Sequence, residues 1–169
     1  QQRVALARIM AYKPDVILLD EPFSALDMYL KDSLQQELQE LLEDYEGTVI
    51  MVSHSRDEVY RFSEELLIID QGQIVAAGKT KELFQNPLHP YTQGLLSCIP
   101  HLGVKKGEPL PVIEGSVPPL SKVPVGCHFC TRCKMAGQHC MEHEPPACEV
   151  APGHVVKCWK YAESGKQEV

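Results

Sequence analysis

The chain has 169 residues, 44% of them hydrophobic, and a formal net charge of −7. That length holds a domain with a core and a small extension, and the acidic balance argues against non-specific nucleic-acid binding. No run approaches the roughly 20 apolar residues of a bilayer-spanning helix, and no basic-then-apolar leader points to secretion.

Residues 1 to 12 set Val4, Leu6, Ala7 and Met10 against Arg3 and Arg8, a helical pattern that Lys13-Pro14-Asp15 ends. Val16-Ile17-Leu18-Leu19 has no polar alternation and reads as a strand buried on both faces of a parallel sheet. Asp20 and Glu21 follow at its carboxyl end, where open α/β sheets place ligands, and Pro22 stops the strand. One such acid can serve a metal ion and its neighbour a water.

Leu26, Leu30, Leu34, Leu38, Leu41, Leu42 and Tyr45 recur in steps of three and four, which predicts a helix covering a sheet. Thr48–Val52 is a second buried-type strand ending in Ser53-His54. Ser55-x-x-Glu58 has the form of a capping box opening a helix to about Phe62. Leu66–Asp70 is a third strand, turned by Gln71-Gly72 into Ile74–Gly78 as an antiparallel hairpin at the sheet edge. Thr80 is expected to cap a short helix through Phe84. Strands alternating with helices give an α/β fold with a parallel sheet and flanking helices.

Composition shifts near Asn86-Pro87. Residues 88 to 96 read as a short helix at best, and Pro100, Pro109, Pro111, Pro118, Pro119 and Pro124 mark a Pro-rich arm. Cys127, Cys130, Cys133, Cys140, Cys148 and Cys158 then crowd together with His128, His139, His143 and His154. C-x₂-C with nearby histidines is zinc-ligand chemistry, and a crowded thiolate set also suits an iron–sulfur cluster. Cys98 stands apart as a core residue. The boundaries drawn are 1–87 for the α/β part, 88–125 for the arm, 126–161 for a small irregular Cys-rich appendage, and 162–169 for a polar, disordered tail.

Leu18-Leu19-Asp20-Glu21-Pro22 with Ser24-Ala25-Leu26-Asp27 resembles the Walker B motif and D-loop of ATP-binding cassette (ABC) ATPases. Gln2 to Arg8 resembles the helix after that family's signature motif, and Ser53-His54 its switch histidine. The resemblance implies a P-loop-type ATPase using ATP and Mg²⁺. Asp20 would hold Mg²⁺ through water, Glu21 would act as general base, and His54 would contact the γ-phosphate. Ser24 and Asp27 would face a second ATPase subunit across a head-to-tail homo- or heterodimer. No G-x-x-x-x-G-K-[ST] loop occurs in the sequence. The chain, opening in mid-helix without Met, therefore reads as the C-terminal portion of such a subunit, with Walker A, Q-loop and signature motif upstream. By itself it is expected neither to bind ATP tightly nor to hydrolyse it.

His89-Pro90-Tyr91-Thr92, Gly115-x-x-Pro118-Pro119, Gly126-Cys127-x-Phe129-x-x-Arg132-Cys133, Pro145-Pro146 and Gly153-His154-x-Val156-x-Cys158 resemble the C-terminal region of dipeptide and oligopeptide importer ATPases. Some members carry a [4Fe–4S] cluster there on cysteines spaced as Cys127, Cys133, Cys140 and Cys158 are, with Zn²⁺ as the alternative. Cys130 and Cys148 are extra, either free thiols or alternate ligands. The cytosolic setting of such ATPases disfavours disulfides. In contrast, residues 19–27, 52–58 and 70–73 look more like importers of molybdate and related oxyanions, so the two halves imply different substrates. The reading is an importer ATPase peripheral on the cytoplasmic membrane face. Its partners would be permease subunits and, indirectly, an extracytoplasmic binding protein. A non-transport ABC protein or a non-hydrolytic metal-binding fragment is the rival.

Overall fold

The computed structural model describes residues 4, 8–9, 11–24, 26–98 and 111–162. Most of the expected N-terminal helix, the arm positions Pro100 and Pro109, and nearly all of the tail lie outside the described residues. The chain divides into two units, residues 1–63 and 64–169.

In the first unit, β1 (Val16–Asp20) pairs in parallel with β2 (Thr48–Val52), in register from Val16 opposite Thr48 to Asp20 opposite Val52. The crossover between them holds α1 (Met28–Glu43), and α2 (Arg56–Phe62) follows β2. Ile17, Leu19, Phe23, Leu34 and Leu38 form the core, with Phe62 stacked on Phe23 at 5.7 Å. This is the leucine stripe at work. Strand residues pointing inward alternate with those pointing out, so Leu19 is 7% exposed while Leu18 is 70% exposed. The expectation of two-sided burial is thus corrected: within this unit α1 covers one face, and Val16, Leu18, Ile50 and Val52 stay open on the other.

The second unit is built on a four-stranded antiparallel sheet in the order β3-β4-β6-β5. Its strands are β3 (Glu65–Asp70), β4 (Gln73–Lys79), β5 (Ala147–Ala151) and β6 (His154–Lys157). The expected hairpin forms: Gln71 and Gly72 both take positive φ, 47° and 79°, as a two-residue turn matched to strand twist requires. β3, however, pairs with β4 and not with the parallel strands. β4 then pairs with β6 at Ala76–Val156 and Ala77–Val155. The Cys-rich segment is therefore no separate irregular appendage, because β6 completes the hairpin's sheet. That pairing draws the second unit's start back to residue 64, where the sequence boundary was drawn at 87.

Shorter helices finish this unit: α3 (Thr80–Gln85), α4 (Pro90–Ser97), α5 (Gln138–Glu142) and α6 (Trp159–Ala162). Lys79, not Thr80, occupies the N-cap of α3 and offers no side-chain cap. Thr80 is instead buried in the first turn. His89 caps α4, its Nδ1 accepting from the Tyr91 N–H at 3.1 Å. Ala76, Leu83 and Val156 centre the core. Among the described residues no helix is long and apolar enough to cross a membrane.

Candidate functional site

The parallel register places the ends of β1 and β2 side by side. The Glu21 N–H donates to the Val52 carbonyl at 2.9 Å, which holds Glu21 against the last residue before Ser53-His54. Glu21 has φ of 46°, a left-handed conformation uncommon outside glycine and a form of strain found at functional turns. Its Oε1 is buried, has no hydrogen-bond partner among the described residues, and lies 3.2 Å from His54 Nε2. The two groups are within ion-pair distance but not in hydrogen-bond geometry. That leaves a carboxylate oxygen with acceptor capacity in hand. The His54 side chain is 94% exposed, so the imidazole projects from the strand ends into open space.

Asp20, on the exposed side of β1's last position, stands next to Glu21. One carboxylate is enough for Mg²⁺ when waters and phosphate oxygens complete the octahedron. Among the described residues no three His, Cys, Asp or Glu side chains form a metal site, so Asp20 would need such outside ligands.

Ser24 and Asp27 are both engaged locally. Ser24 Oγ donates to the Glu21 carbonyl at 3.0 Å, tightening the turn after β1. Asp27 Oδ1 accepts from the Leu30 N–H at 3.0 Å as the N-cap of α1.

One group escaped the sequence reading. Ser55 caps α2 with no side-chain hydrogen bond, so the capping box does not form. Glu58 instead turns inward, 4% exposed, pairing with Lys31 Nζ at 2.6 Å and accepting from Ser53 Oγ. Ser53 Oγ accepts in turn from the Ser55 N–H at 3.0 Å. Lys31, Glu58 and Ser53 thus brace both sides of His54. The signal was the S-x-x-E spacing, whose glutamate the tertiary fold diverts to a lysine on another helix.

In the second unit, Cys127, Cys130, Cys133, Cys140 and Cys158 line one cavity of about 420 Å³ with Phe129, His139 and Trp159. Cys148 is not on its wall; its Sγ faces the Pro146 carbonyl at 3.7 Å on β5. The Cys127 N–H donates to the Cys140 carbonyl at 2.8 Å, joining the Cys127 turn to α5. A Cβ on Gly126 would lie 2.4 Å from that same carbonyl, so only glycine allows the close approach. All seven cysteines are free thiols. Burial pushes Cys127 up to about 11 and raises Cys130 and Cys158, since a thiolate is poorly solvated there. The four spacing-matched thiols share this cavity wall, but among the described residues no three His, Cys, Asp or Glu side chains are gathered into a metal site.

Two buried contacts stiffen this wall. Arg132 Nη2 grips both oxygens of Asp70, at 3.0 and 2.7 Å, with both side chains 5% exposed. The guanidinium lies 4.8 Å from the Phe129 ring centre. His89 is 1% exposed, and burial lowers it to about 4 even though the Asp70 carboxylate and the Lys157 backbone favour its charged form.

Residues 75–140 match the family model described as the oligopeptide/dipeptide transporter, C-terminal region. The oligopeptide transport ATP-binding protein AppF of Bacillus subtilis is 36% identical over 165 residues, 96% of this chain and 50% of that protein. AppD of the same organism, likewise an oligopeptide transport ATP-binding protein, is 32% identical over 170 residues, 99% of this chain and 51% of its own length. The chain spans about half the length of the curated relatives it matches. An ABC transporter structure in an inward-facing conformation covers 56% of the chain, and 36% of its own, at 28% identity and a TM-score of 0.46. The sequence matches run through both units, so the half that looked closer to oxyanion importers aligns with peptide-transport proteins as well.

Proposed function

We propose that this chain, a relative of the ATP-binding proteins of ABC peptide importers, carries the hydrolytic edge of an ATPase that powers uptake of di- or oligopeptides. The observation behind this reading is the Glu21 Oε1, buried at a strand end without a hydrogen-bond partner among the described residues and 3.2 Å from His54 Nε2. Glu21 orients and polarises the water that attacks the γ-phosphate, taking up its proton as bond formation proceeds. His54 reaches the γ-phosphate from the neighbouring strand end. Asp20 would hold Mg²⁺, which would supply charge neutralisation at the phosphate oxygens.

Binding needs a phosphate-cradling loop, and no G-x-x-x-x-G-K-[ST] occurs in these 169 residues. The site is therefore completed by further polypeptide, and a second ATPase subunit approaches over Ser24 and Asp27. Coupling runs through permease subunits at the cytoplasmic membrane face. The described residues contain no spanning helix of their own to take that part.

For the thiol cavity the group proposed from the cysteine spacing is a [4Fe–4S] cluster on Cys127, Cys133, Cys140 and Cys158, which share the cavity wall but are not gathered into a metal site in this structure.

ATP turnover by the subunit that joins this chain to a phosphate-binding loop tests the assignment. Glu21→Gln is expected to leave nucleotide binding intact and stop hydrolysis; normal turnover would remove Glu21 as the base. The 169-residue chain alone is expected to show no micromolar nucleotide binding by calorimetry.

A further inference from the structure

The His54 side chain is 94% exposed and meets Glu21 Oε1 at 3.2 Å across the strand ends. A ring so open to solvent takes little direction from packing, so its aim depends on the backbone that carries it. We propose that Ser53 and Glu58 are positioning residues for His54, an inference that rests on the γ-phosphate role given to His54 above. Ser53 Oγ accepts from the Ser55 N–H at 3.0 Å, a side-chain-to-backbone turn that spans His54. That bond ties together the two residues flanking His54 and so fixes the direction in which the imidazole leaves the chain. On the strand side, the Val52 carbonyl accepts from the Glu21 N–H at 2.9 Å. The backbone before His54 is thereby tied to Glu21, and the backbone across it to Ser53.

The hydroxyl needs an orientation of its own, since a serine carries one proton and two lone pairs on a free rotor. Ser53 Oγ commits its proton to Glu58 Oε2, which leaves the lone pairs for the Ser55 N–H. The other carboxylate oxygen, Glu58 Oε1, is pinned by Lys31 Nζ at 2.6 Å. Glu58 is 3% exposed, so water hardly competes for either oxygen. A hydrogen bond to a carboxylate is about twice as strong as a neutral one. Lys31 on α1, Glu58 on α2 and Ser53 after β2 therefore form one chain of contacts that ends on the backbone of His54. Neither Ser53 nor Glu58 is assigned a contact with ATP; both act through the imidazole.

The experiment is steady-state ATP hydrolysis by the subunit that joins this chain to a phosphate-binding loop, with urea unfolding of each variant alongside. His54→Ala is expected to lose most of its turnover. Ser53→Ala is expected to lower kcat by about 10²-fold with little change in KM, the cost of displacing a group at the reacting centre by about 1 Å. Glu58→Leu is expected to do the same, while Ser53→Thr, which keeps the hydroxyl, retains most of the turnover. Added to His54→Ala, Ser53→Ala is expected to cost nothing further, because its effect passes through the imidazole. A merely structural role would lower both backgrounds alike. Wild-type kcat in Ser53→Ala, or a full additional loss in Ser53→Ala/His54→Ala, overturns the positioning role while leaving that of His54 standing. Full turnover in His54→Ala overturns the role of His54 and the inference with it. Ser53→Cys, near-isosteric with a much weaker hydrogen-bonding group, repeats the removal, so that a fold defect in one variant does not stand for both.

Discussion

His54 Nε2 lies 3.2 Å from Glu21 Oε1, although 32 residue positions and a whole helix separate them in the chain. The parallel register of β1 and β2 ends both strands at the same height, Asp20 opposite Val52, and sets the two turns together. In the subunit with its phosphate loop, Glu21→Gln should lower kcat by about 10²–10⁴-fold, the usual worth of a positioned base, with little change in KM. Steady-state hydrolysis alongside nucleotide titration checks this; a parallel fall in binding would point to a structural role.

The brace around His54 should matter for stability of the first unit. Lys31→Ala leaves the buried Glu58 carboxylate without its cation. A cost of about 2 kcal/mol is expected, below that of a fully buried pair because Lys31 keeps some contact with water. Glu58→Gln should cost less, since an amide still accepts from Ser53 and needs no counter-charge. Urea unfolding of the two variants decides the order; equal costs would mean the ion pair contributes nothing specific.

Arg132→Ala should destabilise the second unit by about 4 kcal/mol, because Asp70 is left charged and buried with no partner. Replacing both, as Asp70→Leu with Arg132→Met, should recover most of that loss, since hydrophobic residues of similar volume spare the desolvation of two ions. Failure of the double variant to recover would assign the cost to packing against Phe129 and Tyr91 instead.

Acid should loosen the second unit through His89. Its folded value of about 4 lies below the ordinary 6.5, so the unfolded chain binds the extra proton between those values. The stability it contributes is therefore complete above pH 6.5 and is lost as pH falls toward 4. The difference amounts to about 3 kcal/mol at full effect. His89→Gln should flatten this part of the pH profile of unfolding, and an unchanged slope would move the effect to another group.

Local chemistry was legible without a structure. Four apolar residues ending in Asp20-Glu21 gave a strand with acids at its tip. Three-and-four spacing gave α1, and Gln71-Gly72 gave the tight hairpin, because strand runs, helical stripes and positive-φ turns each depend on a few neighbouring residues. The crowding of thiols was equally plain, and so was the missing phosphate loop. Partners distant in sequence were another matter. Nothing in the S-x-x-E run says that Lys31 outcompetes the helix end for Glu58. No local pattern announces that Ala76 pairs with Val156, joining the hairpin to the cysteine segment. Spacing placed Cys130 and Cys148 on equal terms; only the tertiary fold puts one on the cavity wall and the other off it. Periodicity fixes which face a residue shows, whereas the neighbour that meets that face is chosen by packing across the whole chain.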